Sequence, residues 1–200
     1  MNLLITSAAS PLAQLLAGAL QTNNSVRLTE RAPTPKLANF AVSALGHDLS
    51  TNLLVRGLDA IIHVAEPLPG ESAGEQIDHL TRCTYNLCMA AEAEGVQRLV
   101  LLSTLDLMTA YDPNFAVTER WRPQPTVEAP ILGKHLAEAV CREFARGHRL
   151  SVVVLRLGQV VQADQVAGAP VNPLWVDERD VAQAVEQALA AEVGPWTVVH

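Results

Sequence analysis

Few residues in this chain are placed to do chemistry. Cys83, Cys88 and Cys141 form no C-x-x-C pair, and the six histidines form no H-E-x-x-H. Metal ligation and dithiol exchange are set aside on that spacing. Hydroxyl and amine chemistry remains. Ser103 and Thr104 close an apolar run, and Lys134 stands near the start of a helical stretch. A spacing of four puts positions 130 and 134 on one helix face, one turn apart. Position 130 is a proline, which has no proton to exchange. Tyr111 is the nearest tyrosine along the chain, in an irregular segment where a phenol is poorly held for general acid work. A second group lies near the N-terminus. Ser7, Ser10 and Ala13 span the turn from a first strand into a helix, a place where backbone N–H groups can meet an anion. Ser10, followed by Pro11, also reads as a helix cap whose hydroxyl would occupy those donors. Glu30 and Arg31 end a second strand, and Glu66 follows Ala65 at the end of a fourth. Asp48 is a turn residue or a helix cap. His63, inside an apolar strand, reads as a core or strand-end residue.

These residues need elements to hold them. Asn2–Thr6 is a short apolar run, read as a buried strand, and a helix runs from Ser10 and Pro11 to about Gln21. Strands are expected at Ser25–Thr29, Phe40–Ala44, Asp59–Ala65, Arg98–Ser103, Leu150–Leu157 and Trp196–Val199. Helical segments are expected at Leu53–Gly57, Glu75–Glu94, Pro130–Arg146 and Glu178–Ala191, with Gly95 ending the long second one. Arg31–Pro35 and Ala163–Leu174 read as loops, as does the proline-bearing stretch before Pro130. Strands apolar on both faces and alternating with helices imply a parallel sheet covered on each side. The expected fold is α/β, a doubly wound parallel sheet of the Rossmann-like kind, in one domain over residues 1–200.

Composition bounds the partners. Nearly half of the 200 residues are apolar and 18% are charged, a globular balance. The net charge of −7 and the lack of a Lys/Arg cluster argue against nucleic acid. No stretch reaches the length of a membrane span. No Lys or Arg precedes Arg27, and Thr6–Pro11 interrupts the first apolar run, so a strand and helix are expected there rather than a leader. The unpatterned cysteines fit reduced thiols, hence a cytoplasmic protein. Arg120-Trp121-Arg122 is either a contact for a protein partner or a loop anchored by a half-buried tryptophan.

Several strings, taken in order, resemble the extended short-chain dehydrogenase/reductases, the family of NAD-dependent epimerases and dehydratases. They are Gly46-His47-Asp48-Leu49, then Leu58-Asp59-Ala60-Ile61-Ile62-His63-Val64-Ala65, then Val100-Leu101-Leu102-Ser103-Thr104. Gly133-Lys134-His135-Leu136-Ala137-Glu138 follows, then Val154-Leu155-Arg156-Leu157-Gly158-Gln159-Val160-Val161, and Trp175-Val176-Asp177-Glu178-Arg179-Asp180-Val181-Ala182. The resemblance implies NAD or NADP as cofactor, and a reduced substrate lobe, since only Gln162–Leu174 stands where similar proteins carry a long insertion. It implies cofactor-binding positions at Ser7, Ser10, Ala13, Glu30, Arg31, Asp48 and Ala65, and catalytic positions at Ser103, Thr104 and Lys134. In similar proteins an acid at the end of strand two holds the adenosine ribose and a base accepts a 2′-phosphate. With Glu30 and Arg31 both present, the choice of cofactor stays open, as does the reading of two solvated charges. The resemblance also implies a homodimer through the helix after strand four and the helix carrying Lys134, with Leu80, Tyr85, Leu87 and Met89 on one and Leu136, Val140 and Phe144 on the other.

Two departures matter. The family's Gly-x-x-Gly-x-x-Gly/Ala turn is here Ser7, Ser10 and Ala13, and its Tyr-x-x-x-Lys is Pro130 with Lys134. A Cβ at position 7 costs on the order of 1 kcal/mol if the turn needs positive φ. Glu66 adds a carboxylate near the expected phosphates, unless it points to solvent. Lys134 without its phenol is either a site residue or a surface lysine. Two expectations follow. One is a non-catalytic binding, scaffold or regulatory member with weak or lost dinucleotide binding. The other is an active oxidoreductase or epimerase with a substitute acid.

Overall fold

The computed structural model describes residues 1–33, 37–147 and 150–200. Part of the expected Arg31–Pro35 loop therefore lies outside the described residues. The centre is a seven-stranded sheet whose paired neighbours all run parallel. In chain order its strands are β1 (Asn2–Ile5), β2 (Ser25–Glu30), β3 (Phe40–Val42), β4 (Ala60–His63), β5 (Arg98–Thr104), β6 (Ser151–Leu157) and β9 (Trp196–Val199). Across the sheet they lie in the order β3-β2-β1-β4-β5-β6-β9. The order reverses between β1 and β4, which opens a crevice at their carboxyl ends, the usual place for a ligand in such sheets. The expected α/β, doubly wound, Rossmann-like fold is what forms.

Alternation along the strands fills two cores, one on each face. Leu4, Ile61, Leu99, Leu101, Val152 and Val154 point to one side, and Leu3, Ile5, Ile62, Val100, Leu102, Val153 and Leu155 to the other. The first face is covered by α4 (Thr84–Ala93) and α5 (Ala129–Gly147), the second by α1 (Pro11–Leu20) and α6 (Glu178–Ala190). Caps fix where helices begin. Ser10 accepts from Ala13 N and has Pro11 behind it, while Asp177 caps α6 ahead of the acidic Glu178 and Asp180. α4 ends in a full Schellman arrangement, with Gly95 at φ +76°, Val96 N donating to Ala91 O and Gly95 N donating to Glu92 O.

Two expectations need correction. The turn at Leu53–Gly57 is a longer helix, α2 (Leu49–Val55), started by the Asp48 cap. The single helix Glu75–Glu94 is a composite. α3 (Ala73–Asp78), with a Ser72–Glu75 capping box, leads into a π-helical turn over His79–Cys83 and then into α4. In addition, β7 (Gln159–Val161) and β8 (Trp175–Asp177), on either side of the expected Ala163–Leu174 loop, pair as a small separate parallel sheet that the sequence did not announce. Gly158 makes this possible, because a Cβ there would lie 2.0 Å from Leu174 O.

Candidate functional site

Lys134 is buried, so the reading of a surface lysine is set aside. It lies in the first turns of α5, aimed at the carboxyl ends of β4 and β5. Its Nζ donates to Val64 O at 2.7 Å, to Leu102 O at 2.9 Å and to the Glu66 carboxylate at 3.1 Å. An ammonium has three protons, and these three acceptors take them all. Glu66 does not simply face solvent, since it is the lysine's ion-pair partner, with a side chain 40% exposed toward the crevice. One turn earlier, Pro130 is exposed in the first turn of α5, where its missing N–H costs nothing. Tyr111 does not replace the absent phenol. Its hydroxyl donates to Arg122 O at 2.7 Å, and its ring packs edge-on against Trp121.

The turn between β1 and α1 is satisfied from within the chain. Ser7 has φ +54°, the strained conformation anticipated for that position. Its hydroxyl accepts from Glu66 N at 3.0 Å and donates to Glu66 O at 3.3 Å, which ties the turn to the end of β4 and offsets part of the strain. Ala65 just before is also at positive φ, +54°. Several amides of the turn are engaged: Ala8 N donates to Thr29 O, Ser10 N to Ser7 O, and Ala13 N to Ser10 Oγ. Glu30 supplies the remaining element. It is buried, and its carboxylate accepts from Ala9 N at 3.2 Å and from Arg31 N at 2.8 Å. Glu30 and Arg31 are thus not a pair of solvated charges. Arg31 is itself ion-paired with Glu71.

Beside this turn lies a cavity of about 680 Å³, lined by Ser10, Leu12, Glu66, Gln159, Gln162 and Glu178 among others, with no Lys or Arg among the described residues of its wall. A pyrophosphate placed there would meet the Glu66 and Glu178 carboxylates and a turn in which several amides are already bonded. The residues present do not fit that group.

The remaining site positions have structural duties. Ser103 Oγ donates to Glu138 at 2.6 Å, and Glu138 forms a buried two-pronged pair with Arg156 at 2.7 and 2.9 Å. Thr104 caps a short 3₁₀ turn over Leu105–Met108 by accepting from Asp106 N. Asp48 accepts from the Ser50 hydroxyl, Thr51 N and Ser50 N, and these bonds, the hydroxyl's foremost, hold its carboxyl below the usual range. The structure therefore gathers Ser7, Ser10, Ala13, Glu30, Ala65 and Lys134 around the crevice. Asp48 caps α2, and Ser103 is turned into the Glu138–Arg156 pair.

Two buried networks were missed in the sequence. Arg156 inside the apolar run Ser151–Leu157 was the available signal, because a buried guanidinium requires a carboxylate. The second centres on His63. Thr84 Oγ1 donates to Leu80 O and so accepts from His63 Nε2 at 2.9 Å, while Nδ1 accepts from Thr6 Oγ1 at 2.8 Å. Burial, then the nearby His79 and Lys134 charges, lowers the His63 pKa to about 3, so the ring is neutral. Among the described residues no group of three or more His, Cys, Asp and Glu side chains could hold a metal ion. No described helix is long and apolar enough to cross a membrane.

Comparison with known proteins agrees with this fold. The chain is similar to uronate dehydrogenase from Agrobacterium tumefaciens, with 23% identity and a TM-score of 0.84 over 99% of this chain and 75% of that one. A mutant of that enzyme is known in complex with NAD. It is also similar to UDP-N-acetylglucosamine 4-epimerase from Bacillus cereus, with 18% identity and a TM-score of 0.82 over 100% of this chain and 77% of that one. At such identities the solved structures speak to the fold alone. In sequence it is similar to L-arabinose 1-dehydrogenase (NAD(P)(+)) of Haloferax volcanii, 23% identical over 214 residues that cover 94% of this chain and 82% of the relative. Residues 15–197 match the NAD dependent epimerase/dehydratase family as a whole, and the protein belongs to that family, among the extended short-chain dehydrogenase/reductases.

Proposed function

We propose that this chain is a non-catalytic member of its family, a binding, scaffold or regulatory subunit in which dinucleotide binding is weak or lost. The observation that carries the reading is Lys134. It has proline in place of a phenol one turn ahead, and its three protons are engaged by Val64 O, Leu102 O and Glu66. A group used in this way supports the ends of two strands and has no proton donor to tune. The turn that would hold a pyrophosphate supports the same reading, since its Ala8, Ala9, Ser10 and Ala13 amides are engaged by Thr29, Glu30, Ser7 and Ser10. General acid–base help is worth about 10²–10⁴ in rate, so its loss leaves residual turnover at most.

One observation favours the rival reading of an active enzyme with a substitute acid. Glu66 stands 3.1 Å from the Lys134 ammonium and is partly open to the crevice. The two readings separate by assay. Sugar aldehydes and uronic acids are offered with NADH, NADPH and the oxidised forms, to the parent and to Pro130→Tyr. The proposal expects no turnover from either protein, because the phenol alone does not reopen the turn. Steady turnover by the parent that is abolished by Glu66→Gln would establish the rival.

A further inference from the structure

A second cavity, of about 370 Å³, shares no lining residue with the crevice. It lies between α5, the loop after β5 and the edge strand β9. Its apolar wall is Trp121, Pro123, Ala139, Trp196 and Val198. Four arginines, Arg120, Arg122, Arg142 and Arg156, line it against two carboxylates, Glu119 and Glu138. That excess of positive charge runs against a chain of net charge −7.

The charges divide into a closed floor and an open rim. Arg156 and Glu138 are buried and paired, and Arg156 also reaches His200 and Met108. Arg120 and Arg122 have no ion-pair partner among the described residues, and Arg142 reaches only Glu143, at 3.9 Å. His135 also lines the cavity, with its Nδ1 buried and without a hydrogen bond. Burial lowers the His135 pKa, Glu138 opposes this, and Arg142, Arg156 and Arg122 lower it further, so the imidazole itself senses the positive field. Guanidinium groups bind carboxylate and phosphate oxygens through paired N–H donors and stack on flat rings, and tryptophan faces accept an apolar body. The cavity thus sets an apolar wall against a ring of guanidinium groups, a pairing that suits an anion on an apolar body.

We propose that this cavity binds a small organic anion, a carboxylate or phosphate ester carried on a flat apolar body. The site is independent of the crevice and of whether the chain is catalytic. Trp121 and Trp196 make it testable by fluorescence, in a Trp175→Phe background that removes the third tryptophan, on β8. Isophthalate and phenyl phosphate are titrated as the two anion chemistries, with neutral isophthalamide as the control. The expected result is a saturable change in emission with at least one anion, half-complete at or below about 1 mM, and none with the diamide. Arg122→Gln and Arg142→Gln should each weaken binding about tenfold, while Arg146→Gln, outside the cavity, should not. The proposal is overturned by a linear, unsaturated change up to about 10 mM with both anions. Equal binding of the diamide, or parent affinity in both arginine variants, overturns it as well. Circular dichroism of each variant confirms that it is folded before titration.

Discussion

Lys134 gives a sharp test at the scale of single residues, because a strut and a catalyst respond differently to removal. Lys134→Met leaves Val64 O, Leu102 O and part of Glu66 without their donor. Buried acceptors left unsatisfied cost about 1–3 kcal/mol each, and some relaxation is expected, so a loss of about 2–3 kcal/mol is predicted in urea unfolding. A change below about 0.5 kcal/mol would assign the lysine no structural role. His63 and His79 make a second test. Burial lowers the His79 pKa to about 4, with Arg31 adding to the effect, and that of His63 to about 3, against an ordinary 6.5. Both folded values lie below the unfolded one, so the neutral rings favour folding fully above pH 6.5, and the advantage fades as pH falls toward 4. The slope is about 1.4 kcal/mol per pH unit for each ring, or about 2.7 together. Between pH 6.5 and about 4.5 the fall belongs to histidines, because the shifted carboxyls titrate lower. Unfolding free energy that stays flat over that window would contradict the neutral, buried assignment. The sequence showed which residues could crowd the crevice, but not the use of Glu30. Its bond to Ala9 N depends on how the β1 turn sits against the end of β2, which no local pattern encodes.

Helix α5 and the π-helical turn show what an element requires of its neighbour. A Cβ on Gly133 would lie 2.3 Å from Leu80 Cδ1 and 2.9 Å from Leu80 Cβ. Leu80 is fully buried, so it cannot swing away. Gly133→Ala is therefore expected to destabilise by about 1–3 kcal/mol through overpacking, even though alanine is the better helix former. Gly147→Ala, at the end of the same helix with no atom within 4 Å, is the control. If the two variants have equal midpoints of unfolding, the close approach is not real. Boundaries set by local chemistry were legible: Ser10 with Pro11 announced α1, and Gly95 announced the end of α4. The π-helical turn was not. Ile77, Leu80, Leu87 and Ala91 keep a helical spacing that one extra residue hardly disturbs. The strands β7 and β8 were also hidden, since three residues each carry little periodicity and their pairing is set by Gly158 meeting Leu174.

At the scale of the whole molecule, the doubly wound sheet was legible because both of its faces are apolar, and so its strands read as near-continuous hydrophobic runs. Assembly is less visible. Leu80, Leu87 and Phe144 are spent on the chain's own core. Tyr85 remains 45% exposed, with Met89, Leu136 and Val140 half-buried on the outer surfaces of α4 and α5. A symmetric homodimer through these surfaces is proposed. Sedimentation should give a dimer at micromolar concentration, and Tyr85→Glu should shift it toward monomer by burying a charge in a self-complementary contact. A parent chain that sediments as a monomer at every concentration would refute the proposal. The central proposal is that the crevice no longer takes a dinucleotide well, and calorimetry with NAD and NADP, oxidised and reduced, tests it most directly. The parent is predicted to give no binding tighter than about 1 mM, and Ser7→Gly with Ser10→Gly to bind measurably better, because the cap and the side chains facing the pyrophosphate are gone. Micromolar affinity in the parent would contradict the account, whatever the double variant does.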